Sequence, residues 1–226
     1  MVLVQKELKN AYIGEIQREP WASTIAYFPL ETNWTDTVWW YSIWQSGSFT
    51  TYGWVKCLYL NSQRCSWASS FHAFSSSEDF TINCWVFNSW GGSYHIYCIW
   101  DGWASYFSFI DFYYSGSDRN LQYQSPWIYP WTFGNSTATS ARWHNVAAVR
   151  SSWTVKWYID GVEYSIWVDT SSISSSNSRL SLWGLYWNNN NKLVWYLSKF
   201  IVDWVAWSST EISRYYNQTK WNYWIS

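Results

Sequence analysis

The sequence predicts an all-β domain: a two-sheet antiparallel jelly-roll sandwich with a short C-terminal helix. Three observations carry this. Segments with period-two alternation or β-branched and aromatic runs follow one another along the chain. Clusters of Ser, Asn, Asp and Gly part them at regular intervals. An Asp160-Gly161 pair stands between two such segments, the composition of a type I′ hairpin turn. Many short strands with turn signals at this spacing point to a sandwich or barrel rather than to βαβ units.

Taken in order, strands are read at 22–30 (ASTIAYFPL), 54–61 (WVKCLYLN), 79–88 (DFTINCWVFN), 93–101 (SYHIYCIWD) and 105–114 (SYFSFIDFYY). Further strands follow at 145–152, 154–161, 162–168, 178–186 and 192–202. Two stretches read as helix. Lys6 to Ile16 is weakly amphipathic, and 208–218 opens on Ser208 or Ser209 as N-cap with Glu211 as a capping-box partner. The Ser-rich run 171–178 reads as a loop, and no repeat or linker breaks the chain. The simplest division is an N-terminal extension at 1–20 and one domain at 21–226.

Composition narrows the function classes. A chain of 226 residues, 48% hydrophobic, suffices for one well-cored sandwich. A net charge of -1 with 13% charged residues provides no basic footprint for nucleic acid and no acidic tail. No run of about 18 apolar residues suggests a membrane span. Met1 to Glu15 lacks a basic stretch leading into an apolar one and is not read as a signal peptide. Cys57, Cys65, Cys84 and Cys98 match no zinc spacing. They read as small buried hydrophobes, with a Cys84–Cys98 bridge as the alternative.

Twenty-four tryptophans beside ten glycines is the anomaly of this composition. An average chain is about 7% Gly, roughly 16 residues at this length. Trp39, Trp40, Trp54, Trp153, Trp183, Trp195, Trp221 and Trp224 stand where turn residues are expected, whereas Trp85, Trp143 and Trp207 sit in apolar, strand-like contexts. One reading makes the surface indoles stacking platforms for sugar rings. The other places glycine at many of these positions in the natural protein, the coding sequence using UGA for glycine. The second is favoured, because the odd tryptophans select turns rather than one face.

Several segments together resemble the concanavalin A-like lectin/glucanase superfamily, in the laminin-G-like jelly-roll domains of bacterial and phage proteins. Ile25 to Leu30 is similar to the opening strand, and Phe80 to Phe87 (FTINCWVF) to the strand that carries a central Trp. Trp143-His144-Asn145-Val146-Ala147, followed by Val155 to Gly161 (VKWYIDG), resembles the family's paired strands ending in Asp-Gly. The block from Gly184 to Lys220 resembles its C-terminal strand and helix. The resemblance covers about residues 22 to 225 in family order. It implies the fold already read from the strands and a binding or structural role.

The sequence carries no recognisable catalytic constellation. Glucanases of this fold carry carboxylates at alternate strand positions, one as nucleophile and one as acid. No such triple occurs here, and Asp160 and Glu163 read as solvated flanks of a turn. His72, His95 and His144 offer few options for nucleophilic catalysis or metal binding: His144 reads as structural and His95 as a half-buried partner, and neither a nucleophile elbow nor a phosphate loop is present. No enzyme is expected. The resemblance implies calcium at a sandwich edge in some members. Asp101, Asp118, Asn188 and Asn190 are the candidate ligands, since hard cations want several oxygens together. Asn33, Asn135 and Asn217 begin N-x-S/T sequons.

The expected function is therefore a non-catalytic recognition module. It would bind carbohydrate or a protein partner as part of an extracellular, surface or virion protein. The alternative is an assembly subunit of a virion or filament that self-associates through Met1–Glu15. Ligand-binding residues are not assigned by the sequence.

Overall fold

The computed structural model describes residues 24–28, 48–61, 65–66, 74–75, 77–88, 94–100, 109–115, 120–124, 142–168, 179–182 and 194–223. The helix read at Lys6 to Ile16, and with it the extension at 1–20, lies outside these residues. The strands are β1 (Thr24–Phe28), β2 (Ser48–Tyr52), β3 (Val55–Asn61), β4 (Cys65–Ser66), β5 (Phe80–Asn88), β6 (Tyr94–Trp100) and β7 (Phe109–Ser115). They continue as β8 (Asn120–Gln124), β9 (Trp143–Ser151), β10 (Thr154–Ile159), β11 (Val162–Val168), β12 (Arg179–Leu182) and β13 (Val194–Asp203). One α-helix, α1 (Ser209–Thr219), runs into a 3-10 turn at Lys220–Tyr223.

Every described ladder is antiparallel. An eight-stranded sheet has the order β11-β10-β9-β5-β13-β3-β2 with β1 added beside β13, and β4-β12-β6-β7-β8 form a five-stranded sheet. The long strand β13 serves two neighbours on one flank. Val194 to Leu197 pair with β3, and Phe200 to Asp203 pair with β1. The junction is a bulge at which Lys199 takes φ 50. The two-sheet antiparallel sandwich with a C-terminal helix is thus the observed architecture.

Both faces of the larger sheet are apolar and buried. One face carries Ile82, Cys84, Val146, Ala148 and Val202, all 2% exposed or less, as the inner face of a sandwich requires. The other carries Trp85, Phe87, Trp143, Ala147 and Val149, and α1 with its 3-10 turn covers it through Ile212, Tyr215 and Tyr223. The Trp85 indole stacks on Tyr223 with centroids 4.0 Å apart and planes at 11°, and it also stacks on Tyr216. The Tyr223 hydroxyl donates to Ser198 Oγ at 3.0 Å, which ties the 3-10 turn to β13. Helix α1 starts where the sequence placed it. Ser208 is the N-cap, and its capping box with Glu211 is complete.

Turn chemistry follows the strand twist. Asp160 and Gly161 both take positive φ (52 and 78), the type I′ geometry expected of Asp-Gly. The β2–β3 and β9–β10 turns have positive φ only at the first central residue, Gly53 or Ser152. The tryptophan after each, Trp54 or Trp153, projects outward, 79% and 55% exposed. None of the described tryptophans takes a positive φ. Trp195 departs from expectation: its backbone is inside β13 and not in a turn. Trp85, Trp143 and Trp207 are buried, as their contexts suggested. Trp39, Trp40, Trp183 and Trp224 lie outside the described residues.

Arg150 is fully buried in β9, an unusual place for a guanidinium. It donates through Nε to Glu78 O at 2.9 Å and through Nη2 to Ser75 O, with its carbon 4.6 Å from the Phe80 ring centroid. The charge is compensated by carbonyl dipoles and an aromatic face, and the segment before β5 is pinned in return.

The expected alternative of a Cys84–Cys98 bridge is not met. Cys84, in the larger sheet, is a free buried thiol, whereas Cys98 belongs to the smaller one. Burial pushes the Cys57 thiol up to about 11, with a partial offset from the backbone at Tyr52, and pushes Cys84 higher still. Burial also raises the Tyr158, Tyr196 and Tyr216 phenols. For each acid the fold prefers the protonated form, so the native state holds protons that the unfolded chain releases. Stability is therefore full below the unfolded thiol value of 9.0 and falls as pH rises toward about 11. Urea unfolding is expected to show a lower midpoint at about pH 10.5 than at about pH 7.5. Equal midpoints would contradict the burial of these groups.

Candidate functional site

The Asp160-Gly161 turn is the most cross-linked polar feature among the described residues. Asp160 Oδ1 accepts from the Asn145 backbone N at 3.0 Å, and the Asp160 N donates to Asn145 O at 2.8 Å. Asp160 Oδ2 accepts from Arg142 Nη2 at 2.8 Å and lies 2.9 Å from His144 Nδ1. Arg142 Nε donates to His144 Nε2 at 3.3 Å. Since Nε2 accepts, the His144 proton sits on Nδ1 and is donated to Asp160. Gly161 is needed on two counts. Its φ is +78, and a Cβ there would lie 3.1 Å from Tyr216 Cβ on α1. Asp160 is therefore not a solvated turn flank: its side chain is 13% exposed and locks the β10–β11 hairpin onto β9. The network ties Arg142, His144 and Asn145 to the Asp160 carboxylate.

Along the same hairpin, alternation puts Lys156 and Tyr158 on one face of β10, and Glu163 stands opposite Tyr158 across the turn. Glu163 Oε2 accepts from Lys156 Nζ at 3.1 Å and from the Tyr158 hydroxyl at 3.1 Å, with Ser209 Oγ at 3.3 Å. Tyr158 and Ser209 oxygens are 3.2 Å apart. Glu163 too is a bonded group rather than a solvated one. Burial is the largest influence holding the Tyr158 phenol above its ordinary range. The neighbouring carboxylate adds to it and Ser209 partly offsets it, so the hydroxyl stays a donor.

Lys156, Tyr158 and Ser209 border a cleft of about 460 Å³ between the β9–β10 hairpin and the entry to α1. Val149, Ser151, Thr154, Lys156 and Tyr158 contribute from the strands; Ala206, Trp207, Ser208 and Ser209 contribute from the other side. The volume is within the range of small-ligand sites, roughly 300–1,000 Å³. The far wall is anchored to β5. Thr81 Oγ1 donates to Val205 O at 2.7 Å and accepts from the Trp207 N at 2.9 Å, and Trp207 Nε1 donates to Asp203 Oδ2 at 2.8 Å. The cleft is thus preformed. Its described lining residues offer hydroxyls, an ammonium and aromatic surface, and none of them is a carboxylate.

None of the calcium candidates Asp101, Asp118, Asn188 and Asn190 lies within the described residues, nor does His72. Among the described residues no group of three or more His, Cys, Asp or Glu is placed to hold a metal ion. No described helix is long and apolar enough to cross a membrane.

No protein-family model matches the chain, and none of the curated proteins matches it in sequence. Solved structures do. Domain 4 of a GH43 extracellular arabinanase from Geobacillus stearothermophilus, in complex with arabinotriose, superposes with a TM-score of 0.69 at 16% identity, over 85% of this chain and 98% of that domain. The binding domain of botulinum neurotoxin serotype G matches at 0.59 and 15% identity, over 85% of this chain and 50% of that one. The serotype D ligand binding domain, in complex with N-acetylneuraminic acid, matches at 0.59 and 13%, over 86% and 50%. The fold is that of β-sandwich binding domains. The chain spans nearly all of the arabinanase domain and about half of each toxin domain, and at these identities the likeness is one of fold.

Proposed function

We propose that the chain is a non-catalytic carbohydrate-recognition module of a secreted or surface protein, and that the cleft beside α1 is its binding site. The observation that carries this is the lining: hydroxyls of Ser151, Thr154, Tyr158 and Ser209 and the Lys156 ammonium beside aromatic surface. Sugars present alternating hydroxyls and apolar ring faces, and such a lining meets both. Glycoside hydrolysis needs two carboxyl groups across the scissile bond, and no carboxylate stands among the described residues of the lining. The solved neighbours support the reading, since two were determined with saccharides bound.

A glycan array, run with and without calcium, tests the proposal. Discrete carbohydrate signals from the intact chain are expected, and a blank array under both conditions would overturn it. Calcium dependence would assign a role to a metal, for which Asp101, Asp118, Asn188 and Asn190 remain the proposed ligands.

A further inference from the structure

Building on the carbohydrate reading of the cleft, we propose that the site selects uncharged sugars over acidic ones, with Glu163 as the specificity-determining residue. Among the described residues of the cleft lining, Lys156 carries the one formal charge. On its own it would draw the carboxylate of a uronic or sialic acid. It is not on its own: Glu163 Oε2 lies 3.1 Å from Lys156 Nζ, and the two side chains are 36% and 29% exposed. The pair therefore presents no net charge to a ligand. An acidic sugar approaching Lys156 meets the Glu163 carboxylate just behind it, and would have to break the pair or lose its hydration without compensation.

Glu163 cannot easily swing away. The same oxygen accepts from the Tyr158 hydroxyl, and Ser209 Oγ is 3.3 Å from it, so the carboxylate is held between the hairpin and the first residue of α1. A neutral sugar needs no such rearrangement. An ammonium has three donors. With one committed to Glu163, the remaining N–H groups of Lys156 serve hydroxyl oxygens.

The test compares the intact protein with Glu163→Gln and Lys156→Gln on an array that carries each glycan in neutral and carboxylated forms. The wild type is expected to favour the neutral member of each pair. Glu163→Gln leaves the ammonium uncancelled, and should raise the acidic-to-neutral signal ratio about fivefold, the scale of a part-exposed ion pair. Lys156→Gln leaves the carboxylate uncancelled and should lower that ratio. Circular dichroism establishes that each variant is folded, and either variant alone suffices for the comparison. An acidic preference in the wild type, or a ratio that neither substitution moves while binding persists, would overturn the selectivity and leave the carbohydrate reading standing. A blank array for all three folded proteins would overturn the carbohydrate reading, and the selectivity with it.

Discussion

Replacing Trp85 by alanine is expected to lower stability by about 3–5 kcal/mol, the range for truncating a large buried aromatic. Trp85 is 0% exposed at the centre of the larger sheet, and its stacks on Tyr223 and Tyr216 fasten the C-terminal segment to that sheet. Its loss removes buried apolar area and the surface on which the helix sits, so the cavity cannot close by a small shift of one neighbour. For a chain of this length each kcal/mol moves the Tm by about 2–4 °C, and a fall of roughly 6 °C or more should appear in a thermal melt. A Tm unchanged within error would show that α1 and its 3-10 turn are not packed on Trp85 as described.

The second large effect is expected at Asp160. Asp160→Ala removes the acceptor of the buried Asn145 N–H and the partner of both His144 and Arg142. Leaving a buried donor unsatisfied, and losing the pair with the half-exposed Arg142, should together cost about 1–4 kcal/mol. Alanine also tolerates the positive φ of this position poorly, whereas asparagine tolerates it well. Asp160→Asn retains one acceptor oxygen and should therefore be damaged less than alanine. Denaturant titration of both variants checks the order. Equal, small losses would mean that the turn is held by backbone geometry alone and that the side-chain network adds nothing.

The parts of the molecule that were legible in the sequence are those whose chemistry is local. Asp160-Gly161 announced its turn because few other residues accept two successive positive φ values. Ser208 and Glu211 announced the start of α1 because the capping box closes within three residues. Trp143-His144-Asn145 and the strand ending in Asp-Gly belong together in the structure because His144 and Asn145 both bond to Asp160. By contrast β2, with the sequence SFTTY, went unread: an edge strand of the larger sheet with its residues half-buried or exposed shows no apolar alternation. The two-residue β4 is too short to carry any pattern.

The site was only half legible. The hairpin itself was read, but the polar cluster on it was not: the register sets Glu163 opposite Tyr158, and only that pairing brings Glu163 to Lys156 and Tyr158. The opposite wall could not be read. Ala206 to Ser209 reach the hairpin only because Thr81 and Asp203 hold Trp207, and the Thr81 bonds span more than a hundred residues of sequence. The charge balance at the cleft was missed for a related reason. Glu163, two residues after Gly161, looks solvated until Ser209 arrives from the far end of the chain.

The most direct test of binding at this cleft is to fill it. Thr154 lines the cleft from the hairpin, so Thr154→Trp places an indole where the ligand would sit. The glycan array should then lose the wild-type signals by about tenfold or more, the equivalent of ~1.4 kcal/mol, while the thermal melt stays close to that of the parent. The same glycans bound at the same strength by a folded Thr154→Trp protein would contradict the account, because the saccharide would then be held somewhere other than between the hairpin and α1.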